Sequence, residues 1–354
     1  MTRAQRKLDH IQHAITTGQS RKSGFDEMKF VHQSLPNTAV NDIEIDTQIG
    51  ELNLSSPIFI NAMTGGGGTE TEKINAQLAA AARDMGLLMA VGSQMSAIKN
   101  HEERDTFRVV RKVNPAGLIM GNLGSEATIE QAEAAAEMIQ ADALQIHLNV
   151  IQELAMPEGD RDFKGALERI QAIAEALPIP VIVKETGFGI GKETAEKLAE
   201  LPIAGLDISG YGGTNFAAIE NARSTRSLDY FNDWGIPTVA ALIETIHAAP
   251  DKSVIASGGI TNSLDVIKSI ALGAGACGMA GRLLKVLLER GAEELMTEID
   301  DLHTDMKMMM CALGAAKLDE LQDVPVIFYG DIYHWLDVRG YQPREYSQRG
   351  KKRF

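Results

Sequence analysis

Between Ala143 and Glu153 the chain reads Ala-Leu-Gln-Ile-His-Leu-Asn-Val-Ile-Gln-Glu. Leu144, Ile146 and Leu148 alternate with Gln145, His147 and Asn149, the period of a strand with one apolar and one polar face. Gln152 and Glu153 follow just beyond the strand. An imidazole, amides and a carboxylate gathered at one strand terminus have the chemistry to orient a polar substrate and hold a hard cation. The alternative is a polar turn after a core strand.

Lys184 closes the apolar run Val181-Ile-Val. A lysine at such a position is costly unless it meets negative charge. It could form a Schiff base or stabilise an anionic cofactor. Ser257-Gly258-Gly259-Ile260 and Ala280-Gly281-Arg282 each follow a β-rich run and precede a helical pattern. Glycines there let backbone N–H groups approach a phosphate, and a helix N-terminus adds favourable charge. A tight turn alone would also explain either pair. The run Ser209-Gly-Tyr-Gly-Gly-Thr214 is a further glycine-rich loop without the spacing of a Walker motif. Near the start, Arg3, Arg6, Lys7 and His10 share one face at helical spacing, either an anion-binding arm or a solvated end.

The elements that must position these groups are legible as alternation. Apolar runs at 57–61, 87–91, 118–122, 144–148, 181–184, 205–209, 254–257 and 276–280 are separated by helical patterns. Eight βα units of this length predict an α/β fold, a closed (β/α)₈ TIM barrel over 57–315 with parallel strands buried on both faces. An N-terminal arm and a hairpin near 43–54 precede it, the hairpin expected to plug the lower end. An appendage, 316–354, is expected to close the active face. Catalytic groups in this fold sit where strands finish. All eight expected strand ends carry polar residues or glycine, which packing alone does not require.

Composition sets the limits. Hydrophobic residues are 44% and charged residues 23% of the 354, enough apolar material for a large core. No apolar run approaches a membrane span, and the first residues lack the apolar centre of a signal peptide. A net charge of −14 argues against nucleic acid and anionic membranes as partners. With Cys277 and Cys311 the only cysteines, a reducing cytoplasm is expected.

Taken together these residues resemble the type 2 isopentenyl-diphosphate isomerase family, flavin-dependent (β/α)₈ isomerases. The resemblance runs over nearly the whole chain. It rests on Arg6-Lys7 with His10, Ala62-Met-Thr-Gly-Gly66, Gly92-Ser-Gln94, Gly121-Asn122, His147-Leu-Asn149 with Gln152-Glu153, Lys184-Glu185, Ser209–Thr214 and Ser257-Gly-Gly259. It implies interconversion of isopentenyl and dimethylallyl diphosphate by a Mg²⁺-dependent allylic proton shift assisted by reduced FMN, with NADPH or NADH as flavin reductant. Ala62, Met63, Thr64, Ser93, Asn122, Ser209 and Thr214 would line the flavin, Lys184 would stabilise its anionic reduced form, and Gly258, Gly259, Ala280 and Gly281 would hold its phosphate. Arg6, Lys7, His10, Ser93, His147, Asn149 and Gln152 would bind substrate, and Glu153 would hold Mg²⁺. Gln152, His147 and Lys184 are the catalytic candidates, although an amide is a poor acid–base group. The family also implies a homo-oligomer, a tetramer or larger.

The chain departs from the family pattern at Met95-Ser96, where many relatives carry arginine; Lys99 is the nearest cation downstream. Two rival readings differ in class. A 2-hydroxy-acid oxidase would use the same phosphate loops but needs a histidine and an arginine late in the barrel. The segment 210–235 offers Arg223 and Arg226 and no histidine. A catalytically silent flavin- or phosphate-binding scaffold would not need the polar end of the fourth strand.

Overall fold

The apolar runs become strands because each is buried on both sides. All three residues of Ile58–Ile60, all six of Ile119–Gly124 and all five of Val181–Glu185 are buried. Such continuous burial is the mark of parallel strands covered by helices. The computed structural model describes residues 23–350. Its strands are β1 (Met28–Phe30), β2 (Thr47–Ile49), β3 (Leu52–Leu54), β4 (Ile58–Ile60), β5 (Met89–Ala90), β6 (Ile119–Gly124), β7 (Ala143–Leu148), β8 (Val181–Glu185), β9 (Gly205–Asp207), β10 (Ser253–Ser257), β11 (Ala276–Met279) and β12 (Val326–Phe328).

Strands β4 to β11 form a closed eight-stranded parallel barrel, sealed where Cys277 of β11 registers with Ile58 of β4. The expected (β/α)₈ architecture is therefore observed. Helices follow their sequence signals. Thr128 and Gln131 form a reciprocal capping box for helix Ile129–Ile139. Asn262 caps helix Ser263–Leu272, which Gly273 ends in the left-handed conformation. After β11 come two helices, Gly281–Arg290 and Ala292–Leu313, parted by Gly291. Met306 and Met310 of the second are buried.

The barrel interior is stacked. Its lower part holds Phe59, Leu88, Met120, Ala143, Ile182, Ile255 and Ala276, packed against Ile49 and Leu54 of the β2–β3 hairpin. Hydrogen bonds fix that plug: Thr47 Oγ1 donates to the Gly275 carbonyl at 2.7 Å, and the Gly50 N–H to Ser253 Oγ at 2.9 Å. Gly275 and Ser253 lie where β11 and β10 begin, so the hairpin closes the end opposite the strand termini, as expected.

The described part of the appendage, residues 316–350, does not close the active face. Strand β12 pairs antiparallel with β1, and helix Gly330–Val338 packs on helix Thr238–Ala248 outside the barrel. Trp335 Nε1 and Arg339 Nε both donate to the buried Glu244 Oε1, each at 2.9 Å. These anchors lie on the barrel's flank, and none of the described residues beyond 315 reaches the cavity at its mouth.

Candidate active site

At the C-terminal ends of the strands opens a cavity of about 540 Å³, within the range of small-molecule sites. Strand β4 delivers Ala62, Met63 and Thr64 to it, the turn after β5 delivers Ser93, and β6 delivers Asn122. His147, Asn149, Gln152 and Glu153 come from β7 and the residues after it, Lys184 from β8, and Ser209 and Thr214 from the loop after β9. Gly258 and Gly259 follow β10; Ala280 and Gly281 follow β11. Every candidate within the described residues thus meets in one cavity. Arg6, Lys7 and His10 lie outside the described residues.

The segment after β7 is neither a simple turn nor an extension of the strand. Val150–Ala155 is a short helix, which sets Asn149 and Glu153 one turn apart. Asn149 Nδ2 donates to Glu153 Oε1 at 2.8 Å, and the Asp160 N–H donates to Oε2, also at 2.8 Å. Arg161 holds the surrounding loop by donating to the carbonyls of Glu153 and Met156 at 2.5 and 2.6 Å. Gly159 is required there, since a Cβ would come within 2.1 Å of the Glu153 carbonyl oxygen. No three His, Cys, Asp or Glu side chains among the described residues form a ready metal cluster. Glu153 is an oriented single carboxylate, which could contribute one oxygen ligand to a hard divalent cation.

Across the mouth, the loops after β9 and β10 interlock backbone to backbone. Gly258 and Gly259 have φ of 96° and 75°. A Cβ on Gly258 would lie 2.1 Å from the Gly210 carbonyl oxygen, so no other residue fits. Helix Gly281–Arg290 starts at the cavity, with first-turn N–H groups that have no intrahelical acceptor. A side-chain-free cradle beside a helix N-terminus fits a phosphate monoester.

Between these two ends lies a layer of buried polar side chains. Lys184 Nζ donates to the Glu185 carbonyl at 2.7 Å and stands 3.8 Å from Asp207 Oδ2. Asp207 is fully buried and accepts from Asn61 Nδ2 at 2.7 Å, from Ser257 Oγ and from the Ser209 N–H at 3.3 Å. Ser209 itself has φ of 35°, an unusual backbone conformation for a residue with a side chain. His147 Nδ1 lies 2.9 Å from Asn122 Oδ1. Removal from water, with the Lys184 charge added, pushes its imidazole down to about 4, so it is neutral at physiological pH.

Residues 94–326 match the FMN-dependent dehydrogenase family. The isopentenyl-diphosphate delta-isomerase of Geobacillus sp. (strain WCH70) is 55% identical over 349 residues, covering 99% of this chain and 100% of that protein. The enzyme of the same name from Bacillus mycoides (strain KBAB4) is 58% identical over the same shares. The chain belongs to the FMN-dependent isopentenyl-diphosphate delta-isomerase family.

Among solved structures, a mandelate oxidase variant aligns with a TM-score of 0.67 over 92% of this chain and 99% of that one, at 16% identity. That likeness is one of fold. No helix among the described residues is long and apolar enough to cross a membrane. Met95 and Lys99 both line the cavity, on a short helix, Met95–Lys99, that the sequence did not suggest. Asn61 and Gln145 were legible as polar residues near strand ends but were given no site role, and Asp207 was passed over. A signal for Asp207 was present, because a carboxylate inside Gly205-Leu-Asp-Ile cannot be buried without donors.

Proposed function

We propose that this protein interconverts isopentenyl and dimethylallyl diphosphate by a Mg²⁺-dependent allylic proton shift assisted by reduced FMN. The observation that supports the reading is a cavity with two anion-handling ends. Going round the barrel, the glycine cradle of Gly258, Gly259, Ala280 and Gly281 and the oriented Glu153 flank the buried Lys184. One end suits the FMN phosphate and the other a Mg²⁺-bound substrate diphosphate.

When bound, reduced FMN supplies the acid–base chemistry for moving the allylic proton. Ala62, Met63, Thr64, Ser93, Asn122, Ser209 and Thr214 would line its ring. Lys184 contributes a fixed positive charge where negative charge resides. Glu153 binds the cation, and His147, Asn149, Gln152 and Ser93 orient the substrate, Gln152 serving position rather than proton transfer. The described chain begins beside the glycine loops, where the Ser23 carbonyl accepts from the Val239 N–H at 3.0 Å. Arg6, Lys7 and His10 would bind the substrate diphosphate. NADPH or NADH as flavin reductant, a homo-oligomer of four or more chains and a cytoplasmic location complete the reading.

The test is to load the purified protein with FMN, reduce it, and follow isopentenyl diphosphate by NMR with and without Mg²⁺. Dimethylallyl diphosphate should form only when both reduced flavin and Mg²⁺ are present. No product under those conditions, or oxygen-consuming oxidation of a 2-hydroxy acid, would overturn the reading.

A further inference from the structure

The buried polar layer is a hydrogen-bond chain with a fixed direction. It starts at Asp207, a carboxylate that can only accept when ionised. Asn61 gives its Nδ2 to Asp207 at 2.7 Å, and its Oδ1 accepts from the Ala62 N–H at 2.8 Å. These two partners set the Asn61 amide independently, since a flip would place its NH₂ against an N–H and its oxygen against a carboxylate. Asn61 Oδ1 also accepts from Gln145 Nε2 at 3.1 Å. Gln145 must then turn its Oε1 to Asn122 Nδ2, which it meets at 3.1 Å. Asn122 is left to present Oδ1 to His147 Nδ1 at 2.9 Å. An oxygen there requires a proton on Nδ1. In a neutral imidazole, Nε2 is consequently a lone pair.

We propose that Gln145 is a positioning residue, carrying the orientation set at Asp207 and Asn61 to Asn122 and so holding His147 as its Nδ1–H tautomer. Gln145 is fully buried and does not line the cavity, so it acts only through its neighbours. It shares the inner face of β7 with His147, two residues on, and registers with Asn122 on β6. The resting site therefore offers its ligands an acceptor at His147 Nε2, not a donor. The tautomer follows from the hydrogen-bond geometry alone; its consequence for turnover rests on the isomerase reading.

The experiment uses the full-length, FMN-loaded protein labelled with ¹⁵N-histidine, its His147 signals assigned by their loss in His147→Gln. At pH 7, two-bond ¹⁵N–¹H correlations should show Nδ1 protonated and Nε2 bare. In Gln145→Met the chain is cut, and His147 should become a mixture of both tautomers, with kcat roughly tenfold lower and KM little changed. Gln145→Glu retains an oxygen for Asn122 Nδ2 and should restore the single tautomer. An Nε2–H tautomer in the parent, or a Gln145→Met spectrum identical to it, would overturn the proposal. Should Gln145→Met fail to fold, Gln145→Leu makes the same cut and is read against the same two outcomes. A shifted tautomer in a protein without isomerase activity would uphold the lock and reject only the isomerase reading.

Discussion

The lower and upper halves of the barrel interior are built from the same strands, one side-chain period apart. Phe59 of β4 gives way to Asn61 just beyond it, Met120 to Asn122 on β6, Ala143 to Gln145 on β7, and Ile182 to Lys184 on β8. Both halves are buried, yet they are held by different forces. The lower side chains need only contact and volume, and the hairpin plug supplies the missing wall. In the upper half every polar group must find a partner, because a buried donor or acceptor left unpaired costs about 1–3 kcal/mol. The lower half therefore tolerates apolar exchange at similar volume, whereas the upper half specifies orientation and charge. Stability and chemistry are stacked, not mixed.

That division can be broken in order of expected effect. Ile182→Ala opens a cavity in the lower layer and should cost about 2–5 kcal/mol of stability by denaturant unfolding. Turnover of the folded enzyme should stay near the parent's; lost turnover at parental stability would erase the boundary between the halves. In the layer above, Lys184→Ala should lower isomerisation at least ~100-fold and weaken FMN binding in a flavin titration. The folded fraction must be measured alongside, since Asp207 loses its buried counter-charge. Unchanged flavin affinity and turnover would remove Lys184 from the site.

The smaller effects sharpen the edges. Glu153→Gln should raise the Mg²⁺ concentration for half-maximal activity by about tenfold, and a parental metal response would contradict its role. Glu185 points away from Lys184 on the outer face of β8. Its burial pushes the carboxyl up from 4.5 to about 7, against the N–H donors of Phe188 and Gly189 and the Lys184 charge. Because the folded state holds this proton more tightly, stability should fall as pH rises from about 4.5 to about 7 and then level off. Glu185→Gln should flatten that part of the Tm profile, and an unchanged slope would assign it to other groups.

Much of this was legible beforehand, and the misses have physical causes. The eight strands were visible because parallel strands buried on both faces must be continuous apolar runs. Gly258 and Gly281 stood out because glycine is needed where backbone meets backbone or phosphate. The short helix Val150–Ala155 was not visible, since so brief a segment has no periodicity to read and is held by Asn149, Glu153 and the loop around Arg161. Residues 316–350 lie away from the active face, against the expectation for the appendage, because nothing local encodes the Glu244 partner that draws Trp335 and Arg339 to the barrel's flank.

From the chain alone came the barrel, its plug, the family resemblance and the set of polar strand ends, because periodicity and residue type are local properties. Only the closed barrel decided which of those ends face one another. Asp207, Asn61, Gln145, Asn122 and His147 come from four strands that meet only once the barrel closes. The direction of a hydrogen bond belongs to a pair of groups and not to either residue, so the tautomer of His147 is written in the tertiary structure.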